Sequence, residues 1–218
     1  MVVGSFGDTD RLQLEAAGFV LIDQFLSHTA IESLDAEVTR ICRERSSSGP
    51  GLQDGALVMT NLEATSDYIF DFARERQIIE FVEQAMQGPI VPLNVELFIK
   101  PPRSQGITPA HQDHAFCRFK ETTTILTCWI ALDDAAREGG ALEYARGRFS
   151  RLMPHKPHEE IHFSFELCDA SELTFDSVPV RRAGCLIHHG FAIHRSGPNL
   201  LNYPRRAVAF AYRGCRDR

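Results

Sequence analysis

The stretch "PAHQDHAF", residues 109–116, sets His111 and Asp113 two positions apart, with His114 directly after. An imidazole and a carboxylate at that spacing share a face only where the backbone is extended, because side chains i and i+2 of a strand project to the same side. On such a segment the two can close on one metal ion. At least one further ligand is then needed, and His188, His189 and His194 in "CLIHHGFAIHRSGPNLLNYPRRAVAF" are the candidates. Two histidines and one carboxylate on one side of a metal, with the other positions open, suit non-haem Fe(II) in oxygenase chemistry. A closed structural zinc site asks for a fourth protein ligand.

Geometry separates the three histidines. "FAIHRS" and "RRAVAFAYR" flank a Gly- and Pro-bearing turn, "GPNLLNYP", which predicts a hairpin. Centred between Asn199 and Leu200, that hairpin sets His194 directly opposite Arg205, and opposed residues of an antiparallel pair share a face. Ser196 points the same way. A guanidinium fork with a hydroxyl beside it is a clamp for a carboxylate, so the metal would have a small acidic co-substrate as neighbour. His188 and His189 lack this relation to Arg205 and read as strand-end polar residues or as donors behind the ligands. His114 faces away from Asp113, and Arg206 away from Arg205. Lys100 reads as a substrate or co-substrate contact or as a solvated strand end.

The elements that must position these groups follow from periodicity. "TDRLQLEAAG" predicts a helix ending at Gly18, "FVLIDQF" a short strand, and "SHTAIESLDAEVTRICRER" an amphipathic helix with Ile31, Leu34, Val38 and Ile41 as its buried stripe. "SSSGPGLQDG" reads as a flexible loop, and "ERQIIEFVEQAMQG" as a helix stopping at Gly88. Beyond Pro89 come short apolar or alternating runs punctuated by Gly and Pro, the pattern of an antiparallel sandwich or barrel. One domain over residues 1–218 is expected, with buttressing helices at about 8–88 and the β core at about 89–218. Residues 150–176 lack a clear period and read as a long insertion near the mouth of the barrel.

With a formal net charge of -6, the chain is not expected to bind nucleic acid, whose phosphates call for a basic surface. No apolar run reaches membrane-spanning length. The N-terminal residues do not read as a secretion signal, and the six scattered cysteines, without CxxC spacing, read as reduced thiols; a cytoplasmic location is expected. The run Arg146, Arg148, Arg151, His155, Lys156 and His158 is either a solvated loop or a rim attracting an anionic substrate.

Taken together, "LFIKPP" leading into "HQD", "TCWIALDDA", "GGALEYARG" and "HRSGPN" followed by "PRRA" resemble the phytanoyl-CoA dioxygenase family of Fe(II)- and 2-oxoglutarate-dependent oxygenases, from about Phe19 to the C-terminus. The resemblance implies a mainly β double-stranded β-helix (jelly-roll, cupin-like) core with flanking helices. It implies His111, Asp113 and His194 as iron ligands and Arg205 with Ser196 as the 2-oxoglutarate clamp. Trp129 matches the family's tryptophan near the co-substrate, although on its strand it also reads as core, and Glu96 falls where the family has a residue touching 2-oxoglutarate. The implied activity uses Fe(II), 2-oxoglutarate and O2 to hydroxylate or otherwise oxidise a small molecule, releasing succinate and CO2. A carboxylate at Asp113, where related halogenases have a small residue, favours that outcome. "ARGRFS" departs from the family's Pro-Gly-Ser-His run, and the C-terminal "CRDR" does not read as a peroxisomal address of the Ser-Lys-Leu kind. Two other classes remain: a metal-dependent cupin-type isomerase or oxygenase that uses no 2-oxoglutarate, and a non-catalytic metal-binding module.

Overall fold

The computed structural model describes residues 2–46, 57–117, 119–147, 149–158 and 165–215. Helix α1 (Asp8–Ala17) ends where Gly18 turns left-handed at φ 79° and its N–H donates to Leu14 O. Strand β1 (Phe19–Ile22) leads into α2 (His28–Ser46), where Ser27 Oγ accepts from Ala30 N–H at 3.3 Å. The predicted stripe Ile31, Leu34, Val38 and Ile41 is buried. Next come β2 (Leu57–Met59), a 3-10 turn (Leu62–Ala64), α3 (Asp67–Phe72) and α4 (Arg76–Met86). Here α4 stops one residue before the expected glycine: Gln87 itself adopts the left-handed conformation at φ 58°. Neither β2 nor α3 is long enough to display a period. The loop expected at 46–55 lies, beyond Ser46, outside the described residues.

The second half supplies β3 (Ile90–Lys100), β4 (Thr108–His111), β5 (Ile125–Ala131), β6 (Leu142–Ala145) and β7 (His155–Pro157). After these come β8 (Phe165–Leu167), β9 (Phe175–Val178), β10 (Cys185–His189), β11 (His194–Ser196) and β12 (Arg205–Gly214). One sheet has six strands in the order β1-β10-β5-β12-β3-β2, and a second has four, β4-β11-β6-β9. Both are antiparallel, as the jelly-roll reading requires. Strands β7 and β8 form a small ribbon within the 150–176 segment.

Alternation along β12 explains how one strand serves both a core and a cavity. Val208, Phe210 and Tyr212 are buried in the large cluster with α2 and α4, together with Val95, Leu97 and Ile99 of β3. The intervening positions are Arg205, Ala207, Ala209 and Ala211, and the small alanines leave room between the sheets. Arg206 shares the outer face, where it pairs with Asp133 and Asp35 at 2.7 Å each and so ties the sheet to α2. Among the described residues, no helix is long and apolar enough to cross a membrane.

The expected hairpin between the "FAIHRS" and "RRAVAF" segments does not form. Strand β11 pairs with β4 and β6, whereas β12 pairs with β3 and β5, and the residue opposite Arg205 is Lys100. The connection crosses from one sheet to the other. Asn199, fully buried, holds it by donating to Lys100 O, Pro101 O and Tyr203 O at 3.2, 3.0 and 2.8 Å and accepting from Leu201 N–H at 3.0 Å. A turn whose polar groups are satisfied by such a side chain needs no strand pairing across it.

Candidate metal and co-substrate site

His111 ends β4, Gln112 continues extended at φ -122° and ψ 130°, and Asp113 opens a 3-10 turn (Asp113–Phe116). The extended Gln112 keeps the two side chains on one face, as the spacing predicts. His194 arrives from β11, where it is in register with His111. One ligand atom from each of His111, Asp113 and His194 lies within 4.8 Å of the others. Asp113 Oδ1 is 3.4 Å from His111 Nε2 and 3.5 Å from His194 Nε2.

Protonation follows from the partners. His111 Nδ1 donates to Pro109 O at 2.8 Å and His194 Nδ1 to Ala192 O at 3.0 Å, so each ring turns an Nε2 lone pair toward Asp113. Burial holds His194 well below the usual histidine range, and the neighbouring His111 adds to this; it is the neutral form that ligates a metal. Burial would raise the Asp113 carboxyl, but the nearby His194 and His188, with hydrogen bonding from His111 and His188, outweigh it and keep the group well below its ordinary value. Two imidazoles that present Nε2 and an ionised carboxylate fit a divalent iron.

Behind Asp113 stands a group read from sequence only as one of two alternatives. Asp113 Oδ2 accepts from Thr127 Oγ1–H at 2.6 Å and from His188 Nε2–H at 2.9 Å. Tyr144 O–H donates in turn to His188 Nδ1 at 2.8 Å. His188 is therefore a donor behind the site. Gln112 was not singled out in the sequence at all; fully buried, its Nε2 donates to Phe191 O at 2.7 Å and to Arg151 O at 3.0 Å, and its Oε1 accepts from Met153 N–H at 2.7 Å. These bonds fasten the 150–176 segment to the ligand corner. His114 is buried and stacks on Phe191 with ring centroids 4.7 Å apart.

The cavity between the sheets holds about 390 Å³ and is lined by all seven residues of interest: Glu96, His111, Asp113, Trp129, His194, Ser196 and Arg205. Arg205 is 2% exposed, and among the described residues its Nε and Nη1 have no hydrogen-bond partner. Its Nη2 donates to Ser196 Oγ at 3.3 Å, and Ser196 O–H donates to Gly140 O at 2.8 Å. Arg205 also lies 5.4 Å from the Trp129 ring centre. Trp129 is thus both buried and a cavity wall. Burial lowers the guanidinium pKa to about 10, so it stays charged at neutral pH. Leaving two charged donors unsatisfied costs several kcal/mol, roughly, unless an anion meets them. A carboxylate is the matching acceptor.

Lys100 is neither of the things its sequence allowed. It is 1% exposed, with Nζ donating to Gly106 O at 3.0 Å, to Ser196 O at 3.1 Å and to Gly197 O. This fixes Ser196 beside Arg205 from the opposite sheet. Gly140 is obligatory there: at φ +75°, a Cβ would lie 2.7 Å from Gly197 O and 3.1 Å from Lys100 Cδ. Glu96 faces the cavity opposite Ala209, which in turn is in register with Trp129. Of the basic run, Arg146 pairs with Asp176 at 2.8 Å and Lys156 with Glu166 at 3.1 Å, and His155 Nε2 accepts from Gln112 N–H at 3.2 Å. Arg148 lies outside the described residues.

Facing antiparallel sheets with a His-Asp-His cluster and a buried arginine with unpartnered donors define a cupin-like protein whose cavity could hold a metal beside a carboxylate. The family model described as Phytanoyl-CoA dioxygenase (PhyH) matches residues 14–207, and the chain belongs to that family. Rat phytanoyl-CoA dioxygenase domain-containing protein 1 is 32% identical over 57% of this chain and 45% of its own length. The peroxisomal phytanoyl-CoA dioxygenase of rat is 26% identical over 91% of this chain and 65% of its own length. The chain therefore spans about half to two thirds of these curated relatives. Among solved structures, EvdO2 from Micromonospora carbonacea var. aurantiaca superposes with a TM-score of 0.80 at 25% identity, over 98% of this chain and 93% of that one. The same protein complexed with 2-oxoglutarate superposes at 0.78 and 24% identity, over 99% and 94%.

Proposed function

We propose that the protein is an Fe(II)- and 2-oxoglutarate-dependent dioxygenase that hydroxylates or otherwise oxidises a small-molecule substrate. His111, Asp113 and His194 hold the iron through Nε2, a carboxylate oxygen and Nε2. Arg205, steadied by Ser196, grips the distal carboxylate of 2-oxoglutarate, with Trp129 as the adjoining wall. When bound, iron with 2-oxoglutarate and O2 supplies the oxidising power: one oxygen atom enters the substrate C–H bond as hydroxyl, the other enters succinate, and CO2 leaves. The residues of this chain bind, orient and exclude water. Thr127 and His188 fix one Asp113 oxygen so that the other faces the histidines, and the apolar lining keeps bulk water from the reacting centre.

The observation that carries this reading is the pair of unpartnered, buried Arg205 donors in the same cavity as the three ligands. A metal-only isomerase or a metal-storing module has no use for a desolvated guanidinium there. Membership of the PhyH family supports the same choice. The test is anaerobic addition of Fe(II) and then 2-oxoglutarate, followed by visible absorption. A charge-transfer band that needs both components is expected, and Arg205→Ala should abolish it at co-substrate concentrations that saturate the wild type. A band unaffected by that substitution would remove the co-substrate role.

A further inference from the structure

With the ligands, the Arg205 clamp and the doubly bonded His188 set aside, the ionisable groups left on the described cavity wall are Glu96 and the Cys117 thiol. Burial raises the thiol to about 11, so it is neutral. Glu96 has neither a hydrogen bond nor an ion pair with any described residue, and the charges that act on it, Asp113 and Glu63, are both negative. Glu63 is itself engaged, accepting from Val95 N–H at 2.8 Å. Burial, then these two carboxylates, push Glu96 up to about 7. A carboxyl so placed lacks a cation.

Two polar neighbours share its strip of wall. Asn94 sits two residues back on β3, on the same face, and also lines the cavity. The β2–β3 register runs Val58 to Phe98 and Met59 to Leu97, and Thr60, the residue after that strand, also lines the cavity. Around this strip the wall is apolar: Phe98, Phe116 and Phe119, with Phe116 and Phe119 each 41% exposed toward the opening. An ammonium has three donors, and Glu96, Asn94 and Thr60 offer three acceptors.

We propose that Glu96 anchors the substrate, and that the substrate is a primary or secondary amine, protonated when bound, with a small apolar or aromatic body that packs on Phe98, Phe116 and Phe119. An anionic substrate would meet Glu96 as a like charge. Of the cations that could draw an anion, Arg146 and Lys156 are paired away from the cavity, and the Arg213 guanidinium lies over the Phe119 ring, 5.7 Å from its centre. This proposal rests on the dioxygenase reading for what becomes of the amine, but not for its binding.

The test uses matched pairs of one skeleton: phenethylamine against 3-phenylpropanoate, tryptamine against indole-3-propanoate, and hexylamine against heptanoate. Each is titrated calorimetrically into the metal-free protein and into protein holding Mn(II) and 2-oxoglutarate. At least one amine should bind about tenfold or more tightly than its acid, and less tightly as salt rises. Glu96→Gln, close to isosteric, should remove about tenfold or more of that affinity while circular dichroism and 2-oxoglutarate affinity stay unchanged. Acids binding as well as amines, no binding by any amine, or full amine affinity in the glutamine variant would each overturn the proposal. Loss of 2-oxoglutarate affinity in Glu96→Gln, with amine binding kept, would overturn it too and assign Glu96 to the co-substrate. Failure of the iron reading shows instead as a missing Fe(II)/2-oxoglutarate band, with the amine titration of metal-free protein still readable.

Discussion

At the end of the cavity around Arg205 and Ser196, the protein fixes nearly everything itself. Lys100 meets three carbonyls, Ser196 meets Gly140, and Asn199 meets four backbone groups, so that among the described residues two guanidinium nitrogens, Nε and Nη1 of Arg205, are what remain for a ligand. At the mouth the rule is reversed. Phe116 and Phe119, which line the cavity, stand 41% exposed each, and among the described residues Glu96 has no cationic partner. The closed end has one geometry and therefore suits one invariant small acid, while the open end leaves its shape to the molecule that fills it. Pre-organisation and adaptability are separated along a single cavity.

The strongest way to break this contrast is at the closed end. Arg205→Ala removes the only charged group there with donors to offer among the described residues, and 2-oxoglutarate affinity should fall roughly 100- to 1,000-fold. Arg205→Lys should recover only part of it, because an ammonium lacks the planar fork. Equilibrium dialysis with labelled 2-oxoglutarate measures both. An alanine variant that binds within threefold of wild type would mean that the co-substrate sits elsewhere.

At the open end the matching probe is stability against pH. Glu96 titrates from 4.5 in the free side chain to about 7 in the fold, with Asp113 and Glu63 as the opposing charges. The folded protein therefore binds more protons than the unfolded chain between these values, and stability falls as pH rises through that window. No penalty exists below about 4.5, and the full penalty stands above about 7, on the order of 3 kcal/mol. In metal-free protein Glu96→Gln should therefore raise the urea midpoint at pH 8 and leave it almost unchanged at pH 4.5. Equal gains at both pH values would show that the carboxyl is not strained by its surroundings.

The same contrast explains what the sequence disclosed. His111, Asp113, His194, Ser196 and Arg205 are legible because their chemistry is scarce and their spacing is local: i and i+2 in two instances, and a short run to the arginine. All five line one cavity. The reason given for the Arg205 placement was nonetheless wrong, since β11 and β12 lie in different sheets and Arg205 reaches Ser196 across the layers. Linear pattern cannot tell a hairpin from a sheet-to-sheet crossover when both carry Gly and Pro. Gln112 and Lys100 owe their roles to carbonyls of Arg151, Phe191, Gly106 and Ser196, which only the folded topology brings near. Tyr144 likewise owes its role to His188, which only the fold brings near.

His188 sharpens the comparison between fixed and open ends, because it tests whether the metal corner is held as firmly as the clamp. His188→Ala deletes one of the two donors to Asp113 Oδ2 and leaves Thr127 alone to orient it. Metal affinity, read by competition with a coloured chelator, should drop about 10- to 100-fold. Unchanged affinity would show that Thr127 suffices.

The smallest effect isolates one hydrogen bond. Tyr144 is 2% exposed and stacks on Phe19 with centroids 4.0 Å apart and planes 11° from parallel. Tyr144→Phe keeps that stack and removes only the O–H that donates to His188 Nδ1. His188 then loses what holds its proton on Nε2, the atom that faces Asp113, and the other tautomer would set a lone pair against the carboxylate. The loss is about 1 kcal/mol, which is roughly a fivefold fall in metal affinity. If Tyr144 served packing alone, the variant would leave metal affinity as it was. A fall in affinity that disappears in the His188→Ala background would instead place the tyrosine in one chain with His188 and Asp113.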